Sequence, residues 1–239
     1  MPSSHSPSEP TNTLALTETP LCPLHEFDKA YNAPVCGIDE VGRGPLAGPV
    51  TAACVFIPAK ALIDAPLLLT MNDSKKISAP KRDALALLIK EHCIWGLGEA
   101  CVFEIDEVNI LQATLRAMER AAQDMLNKAL VTQHGETKAI QPFRSNITAL
   151  VDGNKLPPAL PFENAETIIK GDSKSLCIAA ASILAKTTRD HYMQQLAIKY
   201  PAYGWHSNAG YGAKTHIEAI EKHGATPHHR MSFAPLKYM

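Results

Sequence analysis

Two periods of apolar spacing run along the chain, and the switches between them mark its elements. Val35-Cys36-Gly37-Ile38-Asp39 is a short apolar run ending in carboxylates, Gly42 to Pro49 is rich in turn formers, and Val50 to Ile57 is apolar and β-branched. Together they predict two strands joined as a hairpin. Ser78 then reads as an N-cap, with Pro80 in the first turn of a helix whose apolar stripe is Leu85, Leu88 and Ile89. Ile94 to Phe103 reads as a third strand, and Asp106 to about Asn127 as a helix burying Ile110, Ala113, Leu115, Ala117 and Met118. Ile147 to Val151 is a strand that delivers Asp152 at its end, and Thr167 to Ile169 is another. A long helix from about Ser175 to Lys199 stops before Pro201, and a last one from about Lys214 to Lys222 ends at Gly224. Strands first, then strands alternating with helices, predict an α/β sandwich around a mixed sheet.

Ahead of Pro34 the pattern fades. Met1 to Pro23 is rich in Pro, Ser and Thr and lacks sustained periodicity. Such a stretch buries too little apolar surface to offset chain entropy, so residues 1–34 are expected to form a flexible tail. Residues 35–239 are expected to form one domain, whose C-terminal portion from about residue 200 is helical. No internal repeat appears, and 239 residues with 46% hydrophobic content suffice for a core without disulfide or metal staples.

The formal net charge of −1 argues against a strongly basic nucleic-acid binder, but the total hides a segregation. Residues 170–239 hold 9 Lys and Arg against 4 Asp and Glu. Six cysteines occur, none in a C-x-x-C pair, and most sit in apolar surroundings, as small buried residues of a reducing compartment do. No apolar run approaches the length of a membrane span, and no secretory leader is recognisable, so the expectation is a cytoplasmic protein.

Four carboxylates stand out by position. Asp39 and Glu40 follow the first strand, Asp152 ends a later one, and Asp172 follows Ile168-Ile169-Lys170-Gly171. Strand ends beside glycines are where α/β sheets place ligand sites. Carboxylates gathered in one place repel one another unless a cation joins them, and hard oxygen ligands select Mg²⁺ or Mn²⁺ over zinc. Such a cluster suits two-metal phosphodiester hydrolysis. Taken singly, Asp152 reads equally as a turn residue and Asp172 as a helix cap. Adjacent strand residues face opposite ways, so Asp39 and Glu40 do not both reach one ion without local distortion.

Gly42-Arg43-Gly44 permits close backbone approach to a ligand and offers a forked donor for phosphate, or is a plain turn. Ser182, Lys186 and Arg189 share one face of the long helix, either as a solvated stripe or as a track for a phosphate backbone.

The sequence resembles ribonuclease HII of the bacterial type. Gly37-Ile38-Asp39-Glu40-Val41-Gly42-Arg43-Gly44-Pro45-Leu46 matches the family's opening motif and Asn72-Asp73-Ser74-Lys75-Lys76 its second block. Leu150-Val151-Asp152-Gly153-Asn154 and Lys170-Gly171-Asp172-Ser173 carry the third and fourth carboxylates. Ala179 to Lys186, ending Arg189-Asp190, matches the helix signature, and Asn208-Ala209-Gly210-Tyr211-Gly212 and His229-Arg230-Met231-Ser232-Phe233 match the C-terminal blocks. The resemblance covers about Val35 to the C-terminus. Arg43, where the sister ribonuclease HIII family usually has Thr, separates the chain from that group. Ala209 departs from the family, which often has Lys there.

The resemblance implies an RNase H-like fold and cleavage of RNA in RNA–DNA hybrids, including nicking 5′ to a single ribonucleotide in duplex DNA, leaving a 3′-hydroxyl and a 5′-phosphate. It implies that Asp39, Glu40, Asp152 and Asp172 bind Mn²⁺ or Mg²⁺ and are catalytic. Gly42, Arg43, Gly44 and Tyr211 would read the RNA–DNA junction, and Ser74, Lys75, Ser182, Lys186 and Arg189 would contact the nucleic-acid backbone. A monomer is expected, and no protein partner is inferable. Two rivals fare worse. An actin- or hexokinase-like ATPase needs two duplicated domains, more than 239 residues supply. A silent hybrid-binding protein would lack a carboxylate, and all four are present.

Overall fold

Val35–Val41 (β1) lies at the centre of a five-stranded sheet, flanked by Val50–Phe56 (β2) and Thr148–Asp152 (β4), with Ile94–Ala100 (β3) and Asn164–Ile168 (β5) at the edges. The computed structural model describes residues 22–132 and 145–239. β1 and β2 pair antiparallel, as do β2 and β3, whereas β4 runs parallel to β1 and β5 parallel to β4. The expected hairpin and mixed sheet are therefore present. The helices are Pro23–Lys29 (α1), Ala59–Asp64 (α2), Ala79–His92 (α3), Val102–Thr132 (α4), Leu176–Lys199 (α5), Trp205–Asn208 (α6) and Lys214–His223 (α7).

Strand alternation divides the core into two layers. Cys36, Ile38, Ala52 and Cys54 pack with Ala113, Ala117, Ala121 and Met125 of α4. Ala53 and Val55 turn to the other face, against Leu85 and Ile89 of α3 and the Leu176–Ala185 half of α5. Small residues let the layers close. A Cβ on Gly96 or Gly98 would lie within 2.2 Å of α4 backbone atoms, and one on Gly37 would lie 2.1 Å from the Cys177–Ile178 backbone.

Several boundaries differ from the sequence reading. The third strand stops at Ala100, and helix begins at Val102 rather than Asp106. Asn109, at φ 69°, interrupts α4, and its Oδ1 accepts the N–H groups of Leu111 and Gln112. It thus caps a second helical segment within the expected one. Ser78 holds the N-cap position of α3 without a side-chain capping bond, whereas Ser175 caps α5 by accepting the Ile178 N–H. The expected tail is corrected over residues 22–34. Cys22 is buried in the α3–α5 layer, and α1 docks by a buried carboxylate, Asp28, that accepts the Cys177 N–H at 2.9 Å. That amide belongs to the first turn of α5, where a negative charge is favoured. Residues 1–21 lie outside the described part. The cysteines are free, but Cys101 is exposed, against the expectation of burial. No described helix is long and apolar enough to cross a membrane.

Residues 200–239 form a third cluster in which Tyr203, Trp205, Ile220 and Leu236 pack on Met193 and Leu196 of α5 and on Leu46 and Ala47. This portion clasps the loop between β1 and β2 through Leu46 N–H to Gly210 O, Gly48 N–H to His228 O, and Arg230 N–H to Leu46 O.

Candidate active site

The C-terminal end of β1 sets the first two carboxylates. Gly37 abuts α5, so Asp39, two residues further on, points to the same face, where Ser182 lies one turn beyond Ile178. Asp39 is 6% exposed and receives the Glu40 N–H at 2.7 Å on Oδ1, with the Ser182 hydroxyl nearby as a stabilising neighbour. Glu40 faces the α4 side and pairs with Arg43 at 3.3 Å. The pleat thus separates the two side chains as the sequence predicts, yet both border one cavity of about 320 Å³.

Asp152 ends β4 beside them, and its Oδ1 accepts the Gly171 N–H at 2.6 Å. That bond places the next residue, Asp172, over the same cavity. A Cβ on Gly171 would meet Ile178 Cδ1 at 2.5 Å, so a side chain there would have to displace the Ile178 tip for the turn to keep its close seat on α5. The two single-residue alternatives resolve differently. Asp152 does stabilise a turn, but with one oxygen only, and the cap of the following helix is Ser175 rather than Asp172.

Electrostatics joins the four. Burial pushes the Asp39 carboxyl well up, and Glu40 and Asp152 push it further. Glu40 is raised by burial and by Asp152, against the opposing pull of Arg43. Asp172 is raised by burial, Asp73 and Asp152, against Lys75. Asp152 repels each of the other three, and a cluster of this kind gains most from a bound cation. Among the described residues, no three Asp, Glu, His or Cys side chains converge closely enough to enclose an ion unaided.

The cavity wall is completed by Val41, Ser74, Lys75, Ser182, Lys186 and Tyr211. Ser74 and Ser182 are buried and share a hydrogen bond of 2.9 Å. Lys186 is half-buried and held by Asp190 at 2.6 Å. Tyr211 is 47% exposed, and its ring edge lies 3.5 Å from where a Gly44 Cβ would sit. Gly42 has φ +95°, and a Cβ there would fall 2.3 Å from Arg189 Nε, so the loop's first residue must be glycine.

Arg189 is a correction. It shares a helix face with Ser182 and Lys186, but that face turns onto the β1–β2 loop and the C-terminal portion, and the side chain is fully buried. Its three nitrogens donate to the carbonyls of Pro49, Ala209 and Ala47, so it does not reach a nucleic-acid backbone. Sequence reasoning missed a comparable group, Arg230, which is also fully buried and donates to Gly42, Arg43 and Gly48 carbonyls. Its only sequence signal is its place in the His229–Phe233 block. Asp73, adjacent to the Ser74-Lys75 pair, was missed as a neighbour of Asp172.

Comparison with known proteins identifies the family. The family described as Ribonuclease HII matches residues 36–236. Ribonuclease HII of Rhodospirillum rubrum is 50% identical over 213 residues, covering 88% of each chain. That of Paramagnetospirillum magneticum is 49% identical over 207 residues, covering 86% of this chain and 92% of its own. Among solved structures, the PCNA:RNase HII complex from Archaeoglobus fulgidus matches with TM-score 0.60 and 22% identity, over 84% of this chain and 95% of its own. Bst-RNase HIII in complex with Mn²⁺ matches with TM-score 0.67 and 16% identity, over 86% of this chain and 68% of its own. These two likenesses concern the fold.

Proposed function

The chain belongs to the ribonuclease HII family of metal-dependent endonucleases acting on RNA–DNA hybrids, and we propose that Asp39, Glu40, Asp152 and Asp172 are its catalytic, metal-binding carboxylates. The observation that carries this reading is the single cavity all four border, within which Asp152 repels each of the others. The donor set is all oxygen, which suits Mg²⁺ or Mn²⁺. Mg²⁺ ordinarily binds through one or two carboxylates, waters and substrate phosphates rather than in an all-protein cage. The absence of three converging ligands among the described residues fits that mode. When bound, divalent ions would polarise the scissile phosphate and make water a competent nucleophile at neutral pH.

The remaining wall residues position the substrate. Lys75 and Lys186 bring positive charge to an otherwise acidic cavity, where a phosphate backbone would pass. Ser74 and Ser182 offer hydroxyls at its floor. Only the 2′-hydroxyl distinguishes a ribonucleotide from its deoxy neighbours. The exposed Arg43-Gly44 backbone and the half-exposed Tyr211 ring form one surface beside the carboxylates, so amide donors can meet that hydroxyl while the ring packs on the adjacent sugar. The specific reaction proposed is a nick 5′ to a ribonucleotide in duplex DNA, leaving a 3′-hydroxyl and a 5′-phosphate, performed by a monomer.

The test is cleavage of duplex DNA carrying one ribonucleotide, with Mg²⁺ or Mn²⁺, beside an all-RNA hybrid. A nick at that position with the stated ends is the expected result. No nick with either ion would overturn the single-ribonucleotide reading, and the all-RNA hybrid would show whether hybrid cleavage survives without it.

A further inference from the structure

The loop proposed to read the ribonucleotide is held from beneath by two buried cations. Arg189 and Arg230 are both 0% exposed. The arginine ion pairs among the described residues belong instead to Arg43, Arg82 and Arg120. Arg189 and Arg230 are solvated by carbonyls. Arg189 takes Pro49, Ala47 and Ala209 at 2.9–3.0 Å. Arg230 takes Gly48 through Nε at 2.9 Å, Arg43 through Nη1 at 3.0 Å, and Gly42 and Gly48 through Nη2 at 2.6 and 2.7 Å.

The choice of carbonyls matters. A trans peptide unit is planar, and its C=O and N–H point in opposite directions. The Gly42 carbonyl shares a peptide unit with the Arg43 N–H, and the Arg43 carbonyl shares one with the Gly44 N–H. Drawing both carbonyls onto one guanidinium therefore turns both amides away from the core. Arg43 and Gly44 are exposed, and neither N–H donates to a described residue, whereas Leu46 and Gly48, further along the loop, donate to Gly210 and His228. A cation on the carbonyl side also polarises the peptide and strengthens its outward donor.

We propose that Arg230, supported by Arg189, is a positioning residue for ribonucleotide discrimination, fixing the Arg43 and Gly44 amides toward the ribose 2′-hydroxyl. The inference rests on the reading of that loop given under Proposed function. A fork is needed to span three carbonyls, so lysine, with equal charge but a single point of donation, is not an equivalent. Burial and the neighbouring Arg189 push Arg230 down to about 9, which leaves it charged at neutral pH.

The test uses the full-length protein with Mg²⁺. The KM for duplex DNA with one ribonucleotide is compared with the inhibition constant of the same duplex made wholly of DNA. In Arg230→Lys the discrimination between the two falls about tenfold, the worth of roughly one hydrogen bond, while the all-DNA constant stays put. A role confined to stability would move both constants or neither. Unchanged discrimination in a folded Arg230→Lys protein overturns the proposal. A second measurement needs no variant. Hydrogen exchange of the free wild-type protein should show Arg43 and Gly44 amides exchanging fast beside slow Leu46 and Gly48, and equal protection of all four overturns the proposal as well. Gly44→Ala separates this inference from the reading beneath it. Its Cβ meets only the Tyr211 ring at 3.5 Å, so the fold accepts it, but the methyl obstructs the approach surface. Loss of discrimination in Gly44→Ala but not in Arg230→Lys rejects the Arg230 role alone. Retention in Gly44→Ala rejects the loop as reader.

Discussion

Two neighbouring regions of this protein bury charge, and they satisfy it in opposite ways. In the cavity at the ends of β1 and β4, Asp39, Glu40 and Asp172 are raised by burial and by neighbouring carboxylates, Asp152 among them, and among the described residues Arg43 alone forms a close ion pair with one of the four. Beneath the β1–β2 loop, Arg189 and Arg230 are more deeply buried, yet each spends its donors on backbone carbonyls. The arginine cradle is complete in the protein by itself. The carboxylate cluster is not, since packing has brought like charges together without cancelling them, which is the arrangement the proposed divalent ion would complete. The difference teaches which region serves stability and which trades stability for chemistry.

The largest effect that would break the comparison is at its acidic side. Asp152→Asn should lower cleavage of the ribonucleotide duplex by orders of magnitude, since it removes charge from the proposed metal-binding residue that repels each of the other three. Asparagine can still accept the Gly171 N–H, so the thermal midpoint should hold or rise. A wild-type rate would remove Asp152 from the site. Chelation should likewise stop cleavage, and saturating Mg²⁺ or Mn²⁺ should raise the wild-type thermal midpoint, by the equivalent of about 2.7 kcal/mol at a hundredfold excess over Kd. The rise should be smaller in Asp152→Asn, and equal rises in both proteins would place the ion elsewhere.

On the basic side the cost should appear in stability. Gly42→Ala drives a Cβ to within 2.3 Å of Arg189 Nε at φ +95°. A loss of about 2 kcal/mol in denaturant unfolding is expected, and an unchanged midpoint would show that the cradle yields freely. Tyr211→Ala sits between the regions and should reduce single-ribonucleotide cleavage about tenfold, as loss of one stacking contact does, with divalent-ion binding unchanged. Equal activity would end its role as junction reader.

The smallest expected effect concerns the C-terminal portion that holds the cradle. His229 and His216 are buried and joined Nε2 to Nε2 at 3.1 Å, with Trp205 donating to His216 and Thr226 N–H donating to His229 Nδ1. Burial and His216 push His229 down to about 4, so the folded protein keeps it neutral while the unfolded chain protonates near ~6.5. Its contribution is present above about pH 6.5 and lost as pH falls toward 4. The raised carboxylates act in the opposite sense, so the measurement is the difference between wild type and His229→Gln across that window. The two thermal midpoints should converge as pH falls, and a constant gap would discard this source of acid sensitivity.

Much of the scaffold was legible in the chain. The β1–β2 hairpin followed from two apolar runs around a turn, and the start of α5 from Ser175 ahead of an unbroken apolar stretch. Asp39, Glu40, Asp152 and Asp172 stood out as candidates because strand ends beside glycines mark ligand positions, and the ordered family blocks around them favoured a shared site over the separate turn and cap roles that each residue left open. What stayed hidden depended on partners far away in sequence. Asp28 docks α1 through an amide 149 residues on, and nothing in Pro23–Lys29 announces it. Arg189 was placed on the right helix face, but the carbonyls that bury it lie 140 and 142 residues earlier. Arg230 is separated from Gly42 by 188 residues. A one-dimensional pattern assigns arginine to the surface, because it records no backbone oxygens that could solvate the charge inside.

The sequence by itself determined the mixed sheet and the order of its principal helices, since local periodicity suffices for these, and it marked the four acids as candidates through their strand-end positions and the family blocks around them. Only the tertiary structure decided that Asp152 would be the shared neighbour of the other three, and that two arginines would turn inward onto the carbonyls of the β1–β2 loop. Both depend on where the C-terminal portion and the turn before α5 close over β1, and that closure is set by packing across the whole chain.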